Sequence, residues 1–177
     1  KDILITTENA DYAQAHVDFV RGLELRMEKL QVEQYVTAYK DKEIDLGGTA
    51  DVLAWDTKTS TLVIADLKTG KGFVDADSDQ MRIYAIGAMR HIGVEFQNIE
   101  MSIVHPAIGE PRTHKITLED LRGWSDKELS PAVKAVMAGK RTPKPSPTTA
   151  TSRAFTSSLR RSSRGSWASR RGGSCVR

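Results

Sequence analysis

Asp51, Asp66 and Lys68 are the residues of this chain whose types and spacing best suit chemistry. Asp51 sits in TADVLAWD (49–56) and the other two in TLVIADLK (61–68). Both runs are rich in β-branched and apolar residues and read as strands, joined by TKTS (57–60), a polar connection suited to a four-residue hairpin loop. If Asp56 and Thr61 form the closing pair, partner numbers sum to 117 and Asp51 faces Asp66. Opposed Cβ atoms in such a ladder lie roughly 4.5–5.5 Å apart, so both carboxylates can reach one divalent cation. Lys68, two residues beyond Asp66, points to the same face if the strand continues.

Like charges held that close repel unless a cation compensates them. Hard oxygen ligands suit Mg²⁺ or Mn²⁺, which keep several waters and complete their shell with substrate phosphate. Such a cation can activate a water near neutral pH, while an ammonium group steadies the charge that builds up on a phosphorus centre. The expected substrate is therefore a phosphodiester. Leu53, Trp55, Leu62 and Ile64 alternate with the acids on the same faces, which sets the charged group at the rim of a core.

The elements that must hold this group can be read on either side of the hairpin. Residues 8–30 space Ala13, Val17, Val20, Leu23, Met27 and Leu30 as in an amphipathic helix, with Thr7 or Asn9 as its cap. Alternation over 31–39 predicts a first strand. The Gly-bearing stretch 68–79, KTGKGFVDADSD, ends in Asp77, Ser78 or Asp79 as the cap of a second helix over 79–91, which closes at His91 and Gly93. NIEMSIVHP (98–106) predicts a further strand and THKITL a short edge strand. One or two terminal helices then run to Gly139. The reading is an α/β fold with a restriction-endonuclease-like core, a mixed sheet of about four strands flanked by helices, and the site at one sheet edge.

Composition divides the chain. Residues 141–177 carry nine of the 26 basic side chains and none of the 23 acidic ones, which leaves 17 basic against 23 acidic groups, a net of −6, in residues 1–140. The sequence pI near 9.0 belongs to the tail, so bulk charge gives no argument for DNA. The expected organisation is a domain over 1–140 and a basic Ser/Arg-rich tail over 141–177 without a core of its own. A single cysteine, Cys175, excludes an internal disulfide framework and an all-cysteine metal site. With no apolar run long enough for a bilayer and no signal-peptide pattern, the expectation is no membrane and the cytoplasm of a bacterial or phage-infected host cell.

The order GTAD (48–51), fourteen residues, DLK (66–68), then Gln80 and Tyr84 in QMRIY resembles the RecB-type branch of the PD-(D/E)XK nuclease superfamily, in particular its phage-encoded exonuclease-like members. The resemblance covers about residues 8–125. It implies that Asp51 and Asp66 bind Mg²⁺ or Mn²⁺, that the backbone carbonyl of Leu67 adds a ligand, and that Lys68 assists catalysis. It also implies that Gln80 and Tyr84, four apart on one helix face, support the site or contact DNA. In that branch an earlier helix often supplies a histidine or glutamate; here Glu33 on the first strand is the candidate third carboxylate, and His16 is read as a boundary residue. Some relatives carry a C-terminal cysteine cluster, which one cysteine cannot form. Lys71, in KTGKG, is a candidate phosphate contact. His91, His105 and His114 have no metal-ligand spacing and are read as surface residues. The implied activity is DNA hydrolysis, exonucleolytic by resemblance alone. The alternatives are a weakly active or inactive DNA-binding or assembly module that keeps the fold, and a phosphodiesterase acting on RNA or nucleotides. Homo-oligomerisation stays open.

Overall fold

A computed structural model describes residues 6–70, 72–139 and 159–161. Helix α1 (Thr7–Glu24) is followed by three antiparallel strands, β1 (Lys29–Lys40), β2 (Ile44–Asp56) and β3 (Thr61–Leu67). Helix α2 (Asp79–Ile92) crosses over to β4 (Asn98–Val104), which runs parallel to β3, and β5 (Arg112–Thr117) returns antiparallel. A helical segment closes the domain: α3 (Leu118–Trp124), one π-helical turn (Ser125–Leu129) and α4 (Ser130–Met137). The strand order β1-β2-β3-β4-β5 makes a mixed five-stranded sheet flanked by helices, consistent with a restriction-endonuclease-like α/β fold. Among the described residues, no helix is long and apolar enough to cross a membrane.

The two faces of the sheet bury different sets. On one, Leu23 of α1 packs on Val52, Ala54, Val63 and Ala65, with Phe19, Val20, Met27 and Leu30 at the margin. On the other, Leu53, Trp55, Leu62, Ile64, Met101 and Ile103 meet Met81, Ile83, Tyr84 and Ala88 of α2 and Leu121, Leu129 and Val133 of the closing helices. The predicted helix over 8–30 stops at Glu24. Met27 and Leu30 fit its period, but they serve the same face from a turn and from β1. Its cap is Thr6 rather than Thr7 or Asn9; the Thr6 hydroxyl accepts from the Asn9 N–H. Ser78 occupies the N-cap position of α2 without a side-chain capping bond among the described residues, and Gly93 ends the helix in the left-handed conformation at φ 77°, donating its N–H to the Met89 carbonyl.

An irregularity in β1 and β2 sets where Asp51 points. Along β2, Ile44, Leu46 and Ala50 lie in the α2-side core, then Val52 and Ala54 face α1, while Leu53 and Trp55 face α2. The buried parity therefore changes at Asp51. On β1 it changes at the same level: Leu30 faces α1, Val36 faces α2, and between them Glu33 takes a positive φ of 51°. The β1–β2 ladder pairs Val32 with Val52 and Gln34 with Ala50, so Glu33 stands opposite Asp51 where the face is exchanged. A regular strand would hold Asp51 strictly to one face. The exchange releases it toward the end of β3.

Beyond β3, the other edge of β2 is taken up at Ile44–Leu46 by the backbone of β6 (Leu159–Arg161). The pairing has a local reason, since β2 outruns β3 and leaves backbone groups open to it. The rest of that tail, Cys175 included, lies outside the described residues, as does Lys71.

Candidate active site

The hairpin register follows the sequence reading. Asp56 pairs with Thr61, and the ladder runs back to Val52 opposite Ala65, one step short of Asp51 and Asp66. There a side chain replaces the backbone: the Leu67 N–H donates to the Asp51 carboxylate at 2.7 Å. The bond satisfies a strand-end donor that has lost its ladder partner. Asp66 follows Leu62 and Ile64 on the α2 face and is buried, with 5% of its surface exposed. Lys68, carried one turn of the pleat further by a backbone bond from its N–H to the Val104 carbonyl, places its ammonium 2.5 Å from the Asp66 carboxylate. The three residues meet on the inner strands of the sheet, at the end of the β2–β3 ladder, and not at a lateral edge as expected.

Burial raises the Asp66 carboxyl above its ordinary range; the Lys68 ammonium opposes that shift, and the Asp51 carboxylate reinforces it. The same charges reach Tyr84. Its phenol is pushed up mainly by burial, with Gln80 opposing and Asp66 adding to the rise. Gln80 donates to the Tyr84 hydroxyl at 3.0 Å, so the two helix residues form one unit over the acids. What lets the ring lie there is Gly48. A Cβ at that position would stand 2.7 Å from the Tyr84 Oη and 2.9 Å from its Cε1. The glycine of GTAD thus makes room for the tyrosine of QMRIY, a link between two motifs that spacing alone does not reveal. Gly48→Ala should destabilise the protein by about 1–3 kcal/mol in urea titration, the usual range for overpacking. In a Tyr84→Ala background the same substitution should cost well under half as much; equal losses in both backgrounds would place the clash elsewhere.

The remaining candidates separate cleanly. Glu33 is exposed on β1, and among the described residues no group of three or more His, Cys, Asp or Glu side chains is close enough to share a metal ion. Its part is conformational, at the face exchange opposite Asp51. His16 is on α1, across the sheet from Asp66. His91 reaches Gln31, and His114 lies 3.5 Å from Asp77, both at the surface. His105 was expected there too, but it is 1% exposed at the end of β4. Its Nε2–H donates to the Gly70 carbonyl at 2.5 Å, and its buried Nδ1 has no hydrogen-bond partner among the described residues. The imidazole therefore ties down the loop that begins at Lys68. No periodicity marks that role, because the partner is a loop carbonyl 35 residues earlier.

Chemically, the donor set fits a hard divalent cation that retains much of its water. Asp51 keeps one oxygen free of the Leu67 N–H, and Asp66 needs a compensating positive charge. Lys68 supplies that charge in the structure and is the group such a cation would relieve.

The fold and site together define an α/β protein with a five-stranded mixed sheet whose inner strands present two carboxylates and a lysine beneath a tyrosine-bearing helix. The family described as "Protein of unknown function (DUF2800)" matches residues 1–166, and the chain belongs to it.

Proposed function

We propose that this protein is a Mg²⁺- or Mn²⁺-dependent DNA nuclease of the PD-(D/E)XK type that hydrolyses phosphodiester bonds, acting as an exonuclease in the cytoplasm of a bacterial or phage-infected cell. The observation that carries the reading is the convergence of Asp51, Asp66 and Lys68 at the end of one hairpin, with Gln80 and Tyr84 closing over them. Asp51, Asp66 and the Leu67 carbonyl would hold the cation. When bound, it supplies an activated water and neutralises phosphate charge.

The chain's own residues do the rest. The Leu67 N–H fixes one Asp51 oxygen and leaves the other toward the site. Lys68, released from full engagement with Asp66, faces the phosphate and stabilises the charge that grows on its oxygens. The buried ring of Tyr84 excludes water from one side, and Gln80 orients its hydroxyl.

Incubation of end-labelled linear and covalently closed circular DNA with either cation tests this reading. Loss of the linear form alone is the expected result, and loss of both would make the enzyme an endonuclease. Cleavage of neither would favour the non-cutting DNA-binding or assembly module, a reading with its own support, because Lys68 already pairs with Asp66 and the Leu67 N–H engages one oxygen of Asp51. RNA in the same series distinguishes the ribonucleolytic alternative.

A further inference from the structure

Phe73 is the feature that neither core nor carboxylates account for. It is 67% exposed, in the loop between Lys68 and α2. A single exposed aromatic is ordinary on a protein surface, and what distinguishes Phe73 is the group behind it. One of its faces is backed: the Arg112 guanidinium lies 4.4 Å from the ring centroid, and an Nη2–H of the same group donates to the Val74 carbonyl at 2.9 Å. That bond to Val74 holds the guanidinium, whose Nε is buried and has no hydrogen-bond partner among the described residues. A ring stacked on a fixed cation on one side and open to solvent on the other is a platform for a flat, electron-rich group.

The register locates that platform relative to the site. Asp66 pairs with Ile103 on β4, and Ile103 pairs with Arg112 on β5, so the three stand in one row across the sheet. Opposed residues share a face, and Ile103 belongs to the α2-side core that Asp66 borders. With strands about 4.8 Å apart, Arg112 lies roughly 10 Å from Asp66 on the same side and near the same end of the sheet. That is about the reach of one or two nucleotides of an unstacked strand.

We propose that Phe73, backed by Arg112, is a stacking site for a nucleobase of a single-stranded DNA end whose phosphate lies at Asp51, Asp66 and Lys68. The inference rests on the nuclease reading for the identity of the ligand, and it adds how the strand is gripped. Stacking on a ring is tolerant of sequence, so the site would favour unpaired bases without selecting among them. A paired base has both faces covered by its neighbours and would be excluded until the end frays.

The test is binding of a short single-stranded oligonucleotide carrying 2-aminopurine near its end, followed by fluorescence and anisotropy in Ca²⁺ buffer. The comparison runs across wild type, Phe73→Ala and Phe73→Trp, and an otherwise identical strand with abasic positions at that end. Stacking predicts quenching of 2-aminopurine by wild type, loss of quenching and a roughly ten-fold or greater loss of affinity in Phe73→Ala, and recovery in Phe73→Trp. Wild type should bind the abasic strand as weakly as Phe73→Ala binds the intact one. Unchanged affinity and quenching in Phe73→Ala, or equal wild-type affinity for intact and abasic strands, would overturn the proposal. An exposed side chain carries little folding energy, so a melting curve for Phe73→Ala that matches wild type is expected alongside. Failure of the nuclease reading looks different: no cleavage by wild type in Mg²⁺ or Mn²⁺, whatever Phe73 does to binding.

Discussion

Lys68→Ala should lower the rate of DNA cleavage by about 10²–10³-fold while leaving DNA binding close to wild type, because the ammonium is asked to stabilise charge that develops only as the phosphodiester breaks. In kinetic terms kcat falls and KM stays. The substitution is mild for the fold: Lys68 is at the end of β3, with 30% of its side chain exposed, and its strand pairing is a backbone bond to Val104. Its loss leaves Asp66 buried without its neighbouring cation, so the Asp66 carboxyl should move further up, and a divalent cation, no longer competing with the ammonium for Asp66, should reach the same occupancy at a lower concentration. Lys68→Arg keeps the charge but spreads it over a planar fork that does not place a point charge in the same spot, and should recover only part of the rate. The measurement is single-turnover cleavage at saturating DNA across a cation titration. A Lys68→Ala enzyme with the wild-type rate constant at saturating cation would remove Lys68 from the reaction.

That experiment can be designed from the sequence because the hairpin was legible. A four-residue loop closed by Asp56 and Thr61 fixes every later pair, and the observed register follows it to Val52 and Ala65. The strand β3 and helix α2 were legible for similar reasons: a short β-branched run and a 3.6-residue period ended by a left-handed glycine are local signals. What the sequence hid depends on contacts between distant segments. The exchange of faces at Asp51 breaks the period-two rule by which a strand is read, and it is shared with Glu33 on the neighbouring strand. The residues Ile44–Gly48 do not read as strand because of their paired glycines, yet they are strand, and Gly48 is needed there as the floor beneath Tyr84. His105 was dismissed by spacing because its partner, the Gly70 carbonyl, has no side-chain signature. Phe73 likewise lay in a stretch read only for its glycines and its cap. The candidate site was thus visible as three residues and, through the resemblance, as Gln80 and Tyr84 beside them, whereas the parts played by Gly48, His105 and Phe73 were not.

Asp66→Asn should make the protein more stable than wild type at pH above the raised Asp66 range when divalent cations are chelated, and should erase the stabilisation that Mg²⁺ or Mn²⁺ gives wild type. The sign follows from the raised Asp66 carboxyl, which burial holds above its ordinary range despite Lys68. Between the ordinary aspartate range and that raised value the folded state binds more protons than the unfolded one, so stability falls as pH rises through the window and stays reduced above it. Asparagine fills nearly the same volume without the charge and removes that dependence. The Lys68 ammonium it leaves behind is part-exposed and can be hydrated, so losing the ion pair costs little in return. Cation binding acts on the same residue from the other side. At one hundred times its dissociation constant a ligand stabilises the folded state by about 2.7 kcal/mol, on the order of 10 °C in Tm for a domain of this size. Asp51 alone, with one oxygen committed to the Leu67 N–H, should hold the cation too weakly to show such a shift. Melting curves of both proteins at several pH values, in chelator and in excess cation, separate the two effects. Equal cation-induced shifts in wild type and Asp66→Asn would move the metal site away from Asp66. A wild-type Tm that does not fall with rising pH relative to the variant would mean that the buried carboxylate is fully compensated by Lys68, leaving the cation nothing to relieve.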